Sequence, residues 1–171
     1  MEENSSLVTM RGNPVTLVGP QLETGAKAPD FVAVDNDLQP AKLSTHAGKV
    51  VVISAVPSLD TPVCEIETQR FNHELESLGD DVVGLTISMD LPFAQKRWCG
   101  ANGVTRMKTV SDHRDAAFGE SYGVLIKELR LLARAVFVVD RDDVIRYKEL
   151  VPEIANEPDY GAAMKAIKDC L

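Results

Sequence analysis

The chain has 171 residues, a length typical of one domain, and 44% of them are hydrophobic, which is enough to form a core. Its formal net charge of −8 and the lack of a long basic run argue against nucleic acid or an anionic membrane surface as a main partner. No apolar stretch reaches membrane-spanning length, and residues 1–14 lack the apolar run of a secretory signal.

The first part of the chain predicts short strands followed by one strongly buried strand. Residues 7–10 and 15–18 flank the turn sequence Arg11-Gly12-Asn13-Pro14, which predicts an N-terminal β-hairpin extension within residues 1–20. Two more short strands are predicted at 31–34 and 41–43. Residues 49–56 are β-branched and nearly unbroken in hydrophobicity, as expected for a strand buried on both faces.

A helix is predicted to begin soon after that strand. Thr61 is a suitable N-cap, and Pro62 suits the first helical position because it has no amide hydrogen to leave unpaired. Leu75 and Leu78 give the helix an apolar stripe, and Gly79 is predicted to end it.

The second half of the chain continues the alternation of strands and helices. Its predicted elements are strand 82–88, a short helix 92–99 ending in Gly100 and Gly103, strand 107–111, a helical turn 114–121, a hairpin 135–139 and 144–147, and a last helix 158–169. This order predicts a single three-layer α/β domain over residues 1–171, with a mixed central sheet flanked by helices.

The three cysteines, Cys64, Cys99 and Cys170, do not have the number or spacing of a secreted disulfide framework. No C-x-x-C pair is present, and no cysteine–histidine cluster has zinc-site spacing. We therefore expect a cytoplasmic protein with reduced cysteines and with no metal or other cofactor. Cys170 is the penultimate residue, and we expect a mobile thiol without a role.

Cys64 has the strongest chemical potential of the three. It is predicted at the third helical position, where free backbone amides and the positive end of the helix dipole favour a thiolate, the reactive form of cysteine. Thr61 can donate a hydrogen bond to the sulfur, while Pro57 and Pro62 can stiffen the loop and exclude water. The spacing alone leaves a second interpretation open, a buried and inert cysteine.

The residues around Cys64 resemble a known family. Residues 57–64, Pro-Ser-Leu-Asp-Thr-Pro-Val-Cys, match the P-x-x-x-T-x-x-C motif of peroxiredoxins between a predicted strand and a predicted helix. The chain is most similar to the bacterial thiol peroxidases, the atypical two-cysteine subfamily, and further matching segments lie at 12–16, 90–100, 133–140 and 157–160. Pro62 is a departure, because that subfamily has glycine there, and it predicts a stiffer loop rather than another reaction.

The resemblance implies a thioredoxin-like fold and a role for each motif residue. Cys64 attacks a hydroperoxide, Thr61 hydrogen-bonds the sulfur and the peroxide, Pro57 closes the pocket, and Arg134 supplies a cation that favours the thiolate. Without the resemblance, an arginine that is exposed at a strand start is the better explanation of Arg134, because arginine is mostly exposed.

The resemblance also implies how the reaction finishes. Cys99 condenses with the sulfenic acid on Cys64 to form an intramolecular disulfide, and thioredoxin reduces it. A homodimer is implied as well. Since a disulfide needs its two Cα atoms within about 7 Å, we expect the Cys99 helix to unwind and the Cys64 turn to fray before the sulfurs join.

Three other functions remain open at this stage. A dithiol oxidoreductase usually has closely spaced cysteines, which this chain lacks. A redox sensor begins with the same Cys64 chemistry but passes oxidation to a partner protein. An inert α/β binding domain has no fast thiol reaction.

Overall fold

The computed structural model describes residues 1–171. Its strands are β1 Glu3–Met10, β2 Asn13–Val18, β3 Val32–Val34, β4 Pro40–Lys42, β5 Val50–Ala55, β6 Val82–Ser88, β7 Met107–Ser111, β8 Leu125–Ile126, β9 Leu131–Leu132, β10 Ala135–Val139 and β11 Ile145–Leu150. Its helices are α1 Pro62–Glu76, α2 Pro92–Asn102, α3 Ala117–Ser121 and α4 Tyr160–Asp169, with a 3-10 turn at Leu43–His46.

The centre of the fold is a seven-stranded sheet with the order β11-β10-β5-β6-β7-β3-β4. The inner strands β5, β6 and β7 are parallel, and every other pairing in this sheet is antiparallel, so the predicted mixed sheet is confirmed. The β5 and β6 strands are buried throughout, as their nearly continuous hydrophobic sequences predict.

Helices α1, α2 and α4 cover one face of this sheet. Phe71 and Leu75 of α1 and Ile167 of α4 pack in one apolar cluster with Val52 and Val136 of the sheet. Helix α2 lies beside α1, to which it is linked by the hydrogen bond from Gln69 Nε2 to Asn102 Oδ1 (3.1 Å). Consecutive crossings from β5 through α1 to β6 and through α2 to β7 therefore place Cys64 and Cys99 on neighbouring helices.

The N-terminal hairpin, β1 paired with β2, is confirmed, but it belongs to a second sheet that the sequence did not predict. This sheet has the order β1-β2-β8-β9. Leu17 of the hairpin and Phe118 of α3 lie in the larger apolar cluster, which contains Ile53 and Leu85 from the other face of the central sheet. Strands β8 and β9 have two residues each, too few to show a period in the sequence.

Several helix boundaries differ from the predicted ones. Helix α1 ends at Glu76, before Gly79. Helix α2 runs through Gly100 to Asn102 and ends at Gly103, whose positive φ of 63° is the left-handed conformation that terminates helices. Helix α3 begins at Ala117, and α4 begins at Tyr160 after Asp159 caps it.

No helix in the structure combines the length and the apolar character that a bilayer crossing requires.

Candidate active site

Cys64 lies where the sequence predicts it, at the third position of α1. Thr61 is the extended N-cap residue and Pro62 is the first helical residue. The Cys64 side chain is fully buried at the start of the helix, beyond the carboxyl end of β5. Its sulfur therefore lies in the first helical turn, where backbone amides lack helical partners.

Arg134 approaches this sulfur from the residue that precedes β10. Its Nη2 donates to Cys64 Sγ at 3.3 Å, its Nη1 to Glu67 Oε2 at 2.6 Å, and its Nε to the Ile154 carbonyl at 2.8 Å. Only 2% of Arg134 is exposed, which excludes the interpretation of a solvent-facing arginine. A guanidinium in contact with sulfur favours the thiolate, because opposite charges stabilise each other most where water is excluded.

Glu67 holds the guanidinium in place from one turn further along α1. Its carboxylate accepts from Arg134 and also from Ser54 Oγ at 2.8 Å, and both Glu67 and Ser54 are fully buried. Burial raises the pKa of the Glu67 carboxyl, and Arg134 opposes this rise. Burial disfavours the charge on Arg134 as well, but Glu67 and Cys64 together raise the pKa of the guanidinium above its usual value.

The loop between β5 and α1 is fixed by Asp90. Its Oδ1 accepts from Ser58 Oγ at 2.7 Å, and its Oδ2 accepts from the Leu59 amide at 2.8 Å. Pro57 is buried in this loop, next to the end of β5. The Thr61 hydroxyl makes no helix-capping bond and donates to the Ser58 carbonyl at 2.8 Å, which differs from the predicted cap.

Cys99 is half-buried in α2 and is not brought to Cys64. All three cysteines are free thiols, and α1 and α2 are both intact. The Cys99 sulfur instead contacts Thr109 Oγ1 of β7 at 3.3 Å. Among the predicted site residues, the structure thus brings Cys64 and Arg134 into contact, keeps Pro57 and Thr61 in the adjoining loop, and leaves Cys99 apart.

The structure contains no group of three or more histidine, cysteine, aspartate or glutamate side chains arranged to hold a metal ion.

Known proteins with similar sequences identify the family. The Redoxin family model matches residues 23–164. A thiol peroxidase from Oceanobacillus iheyensis is 57% identical over 93% of this chain and 96% of its own, and one from Bacillus subtilis is 53% identical over 94% and 96%. The chain belongs to the thiol peroxidases of the Redoxin family.

A solved structure supports the same assignment for this thiol peroxidase. A peroxiredoxin-like protein from Aquifex aeolicus superposes with a TM-score of 0.91 and is 44% identical, with 98% of both chains covered. The thiol peroxidase therefore has the thioredoxin-like fold that peroxiredoxins share, with the β1–β2 hairpin added at its N-terminus. The predicted fold class is confirmed.

Sequence reasoning missed three side chains of this thiol peroxidase site, Glu67, Ser54 and Asp90. Glu67 follows Cys64 by three residues and so shares its face of α1, which was the available indication. Cys170 is the C-cap residue of α4 and is half-buried against the apolar cluster that contains Phe71 and Ile167, and burial raises the pKa of its thiol.

Proposed function

We propose that this enzyme reduces hydroperoxides with Cys64 as the attacking nucleophile. The observation that carries the proposal is the bond from Arg134 Nη2 to the buried Cys64 sulfur at the start of α1. A buried cation and free helix amides around one thiol are the surroundings that generate a reactive thiolate. The family membership of the chain supports the same reaction.

The reaction begins when the Cys64 thiolate attacks the terminal oxygen of the hydroperoxide. The S–O bond forms as the O–O bond breaks, and the remaining oxygen leaves as an alcohol or as water after it takes a proton. The Arg134 guanidinium carries five N–H donors, of which three are already used, so two are free for the peroxide oxygens. Donors fixed before the reaction stabilise the charge that develops on the departing oxygen.

Thr61 and Pro57 complete the pocket in this proposal. The Thr61 hydroxyl lies in the residue before α1 and is bonded to Ser58, and a rotation about one side-chain bond redirects it towards the sulfur or a bound peroxide. Pro57 limits access of water, because it is buried and offers no amide hydrogen. Both roles follow the peroxiredoxin motif.

We further propose that Cys99 resolves the sulfenic acid on Cys64 as an intramolecular disulfide. The free thiols and intact helices of this structure describe the enzyme before that step. Helix α2 buries only Pro92 and Gln95, so its local unwinding is inexpensive. The sulfurs then join after α2 unwinds around Cys99 and the first turn of α1 frays.

A complete cycle needs an external dithiol, and we propose thioredoxin in the cytoplasm, with a homodimer as the working form. Hydrogen peroxide and organic hydroperoxides, alkyl or lipid, are the proposed substrates, within antioxidant defence and redox homeostasis. A dithiol such as that of thioredoxin can reduce this intramolecular disulfide, because α2 is partly unwound around Cys99 when the disulfide has formed.

The experiment follows hydroperoxide consumption with thioredoxin, thioredoxin reductase and NADPH. Cys64→Ser is expected to abolish turnover. Cys99→Ser is expected to react once and then recycle poorly. Cys170→Ser is the matched control and is expected to keep the parent's rate. Full activity in Cys64→Ser refutes the proposal.

A further inference from the structure

The thiol of Cys99 ends a short chain of hydrogen bonds that crosses from α2 to the edge of the sheet. Its sulfur contacts the Thr109 hydroxyl at 3.3 Å, and that hydroxyl donates to Asn36 Oδ1 at 3.0 Å. Thr109 is only 3% exposed. Asn36 lies in the turn of residues 35–39 that joins β3 to β4, far from Cys99 in the sequence.

The donor and the acceptor in each of these hydrogen bonds follow from the single proton of the Thr109 hydroxyl. A threonine hydroxyl has one proton, and Thr109 gives it to an amide oxygen that can only accept. The contact between Thr109 and Cys99 therefore uses the thiol proton, with S–H as donor and the hydroxyl oxygen as acceptor. In this arrangement the hydrogen bond from its thiol holds Cys99, and with it α2, against β7.

The same turn also contacts α2 directly, at its surface. Lys96 Nζ lies 3.0 Å from Asp37 Oδ1, and both side chains are more than half exposed. The turn is itself fixed, because Asp35 Oδ1 accepts from the Asp37 amide at 2.8 Å and from the Gln39 amide at 2.9 Å. The turn therefore contacts α2 directly at the surface through Asp37, and it reaches Cys99 indirectly through Asn36 and Thr109 of β7.

We propose that Asn36 and Thr109 are positioning residues for Cys99, which hold its thiol against β7 and keep α2 docked, and so set the rate at which Cys99 reaches Cys64. The inference rests on the proposed function, in which Cys99 resolves the sulfenic acid. In that step the Cys99 sulfur bonds to the Cys64 sulfur and the S–O bond of the sulfenic acid breaks. The thiol proton leaves with the hydroxyl group as water.

The loss of the bond between Cys99 and Thr109 is expected to change the rate of disulfide formation. The bond from Cys99 to Thr109 is present when α2 is docked, and it must break before the sulfurs meet. Its removal therefore destabilises the docked state without affecting the disulfide. The loss of one neutral hydrogen bond accelerates disulfide formation roughly fivefold.

The experiment mixes the reduced enzyme rapidly with hydrogen peroxide and follows tryptophan fluorescence. Trp98 is the single tryptophan and precedes Cys99, so it reports on α2. Oxidation of Cys64 gives a phase whose rate rises with peroxide concentration, and disulfide formation gives a later phase that does not depend on it. Mass spectrometry of quenched samples assigns the sulfenic acid and the disulfide to these phases.

Thr109→Val removes the acceptor but keeps the side-chain shape. It is expected to leave the first phase unchanged and to accelerate the second roughly fivefold. Thr109→Ser keeps the hydroxyl and is expected to restore the parent's rate. Lys96→Ala breaks only the exposed ion pair and is the matched control, with little expected change. Asn36→Ala removes the acceptor that orients the Thr109 hydroxyl towards Cys99 without altering β7, so the bond to Cys99 weakens and an acceleration is again expected.

Two results overturn the inference. One is a second phase in Thr109→Val and Asn36→Ala that is unchanged or slower, and the other is a Thr109→Ser rate that equals the Thr109→Val rate. A parent enzyme that lacks the peroxide-dependent phase, or that forms no disulfide between Cys64 and Cys99, refutes the proposed function instead. The two failures are therefore distinguished within one experiment.

Discussion

At the scale of single residues, the site depends on a buried arginine whose position is set by its partners. Arg134 bonds to a carbonyl, a carboxylate and a sulfur, and so it has little freedom to turn away. Glu67 provides the only carboxylate among these partners. It compensates the charge of the guanidinium when Cys64 is protonated, and Ser54 fixes its second oxygen.

We predict that Glu67→Gln weakens both the fold and the reaction. The substitution keeps the shape of the side chain but leaves a buried guanidinium without its charge partner, and we expect a loss of about 3 kcal/mol in the free energy of unfolding. Peroxide consumption is expected to slow by at least about tenfold, because the donors of Arg134 are no longer fixed. Urea unfolding and peroxide kinetics measure the two effects.

The control for this variant is Glu74→Gln on the same helix. Glu74 pairs with Arg70 at the surface, and both side chains are substantially exposed. Loss of an exposed pair of this kind changes stability by about 0.5 kcal/mol or less. A Glu67→Gln enzyme that matches the Glu74→Gln enzyme in stability and rate contradicts the structural role assigned to Glu67.

The sequence predicted the residues of the motif better than the residues that support them. Cys64 and its helical position follow from Pro62 and from the strand before it, which are local features. The local sequence around Glu67 does not distinguish it from an ordinary charged residue on the exposed face of a helix. Its burial depends on Arg134, which lies 67 positions later and arrives from another strand. Only the packing of β10 beside β5 brings the two together.

At the scale of elements, polar side chains run across the sheet under α1 and α2. Ser54 of β5, Thr86 of β6 and Thr109 of β7 are aligned by the parallel register, and all three are buried. Ser54 and Thr109 have hydrogen-bond partners, but the Thr86 hydroxyl has none within the protein. A buried hydroxyl without a partner reduces stability.

We predict that Thr86→Val stabilises the enzyme. Valine has the same shape, and it removes a polar atom that has no partner, so the free energy of unfolding is expected to rise by about 1 kcal/mol. Thr109→Val is the contrasting variant, because that hydroxyl has two partners, and it is expected to lower the free energy by about the same amount. Urea unfolding at neutral pH measures both, and a destabilised Thr86→Val enzyme contradicts the prediction.

The turn of the hairpin is bound by the carboxylate of Glu153. Glu153 accepts from Thr9 Oγ1 at 2.6 Å, from the Arg11 and Gly12 amides at 3.1 Å, and from the Ala155 amide at 3.2 Å. These donors, the Thr9 hydroxyl most strongly, lower the pKa of Glu153 from 4.5 to about 2. The unfolded chain therefore takes up the proton at a higher pH than the folded enzyme does.

We predict an acid-sensitive hairpin on this basis. The contribution of Glu153 to stability is complete above about pH 4.5 and is lost as the pH falls towards about 2. Glu153→Gln is expected to remove this part of the pH dependence and to speed amide exchange at Arg11 and Gly12 at neutral pH. Glu76→Gln, on an exposed part of α1, is the control, and an unchanged acid profile in Glu153→Gln refutes the assignment.

Elements were predictable from the sequence where their apolar pattern was long. They were not predictable where the element was short, or where a glycine inside a helix suggested an end. The β5 and β6 strands and the face of α4 that contains Met164 and Ile167 follow from their apolar patterns. Gly100 does not end α2, because a glycine can remain helical, and only the left-handed backbone of Gly103 stops the helix. The β8 and β9 strands form because the hairpin offers β8 an edge on which to pair.

At the scale of the whole molecule, the two cysteines of the proposed disulfide lie on helices that bury very different numbers of side chains. Helix α1 buries six side chains, while α2 buries two, although both lie on the same face of the sheet. The free energy needed to open an element locally rises with the apolar area that the element buries. The fold therefore concentrates its stability in the sheet, α1 and α4, and leaves α2 as the part that can open.

This difference predicts where oxidation alters the enzyme. In the disulfide form we expect the amides of α2 to exchange with solvent at least about tenfold faster than in the reduced form, because Cys99 can reach Cys64 only after α2 unwinds. The amides of α4 around Ala163 and Ile167 remain buried in the core and are expected to keep their protection. Cys99→Ser treated with peroxide separates oxidation from disulfide formation, since its α2 is expected to stay protected. Hydrogen–deuterium exchange of the three forms makes the comparison, and a protected α2 in the disulfide form contradicts the unwinding step, because both sulfurs would then have met between intact helices.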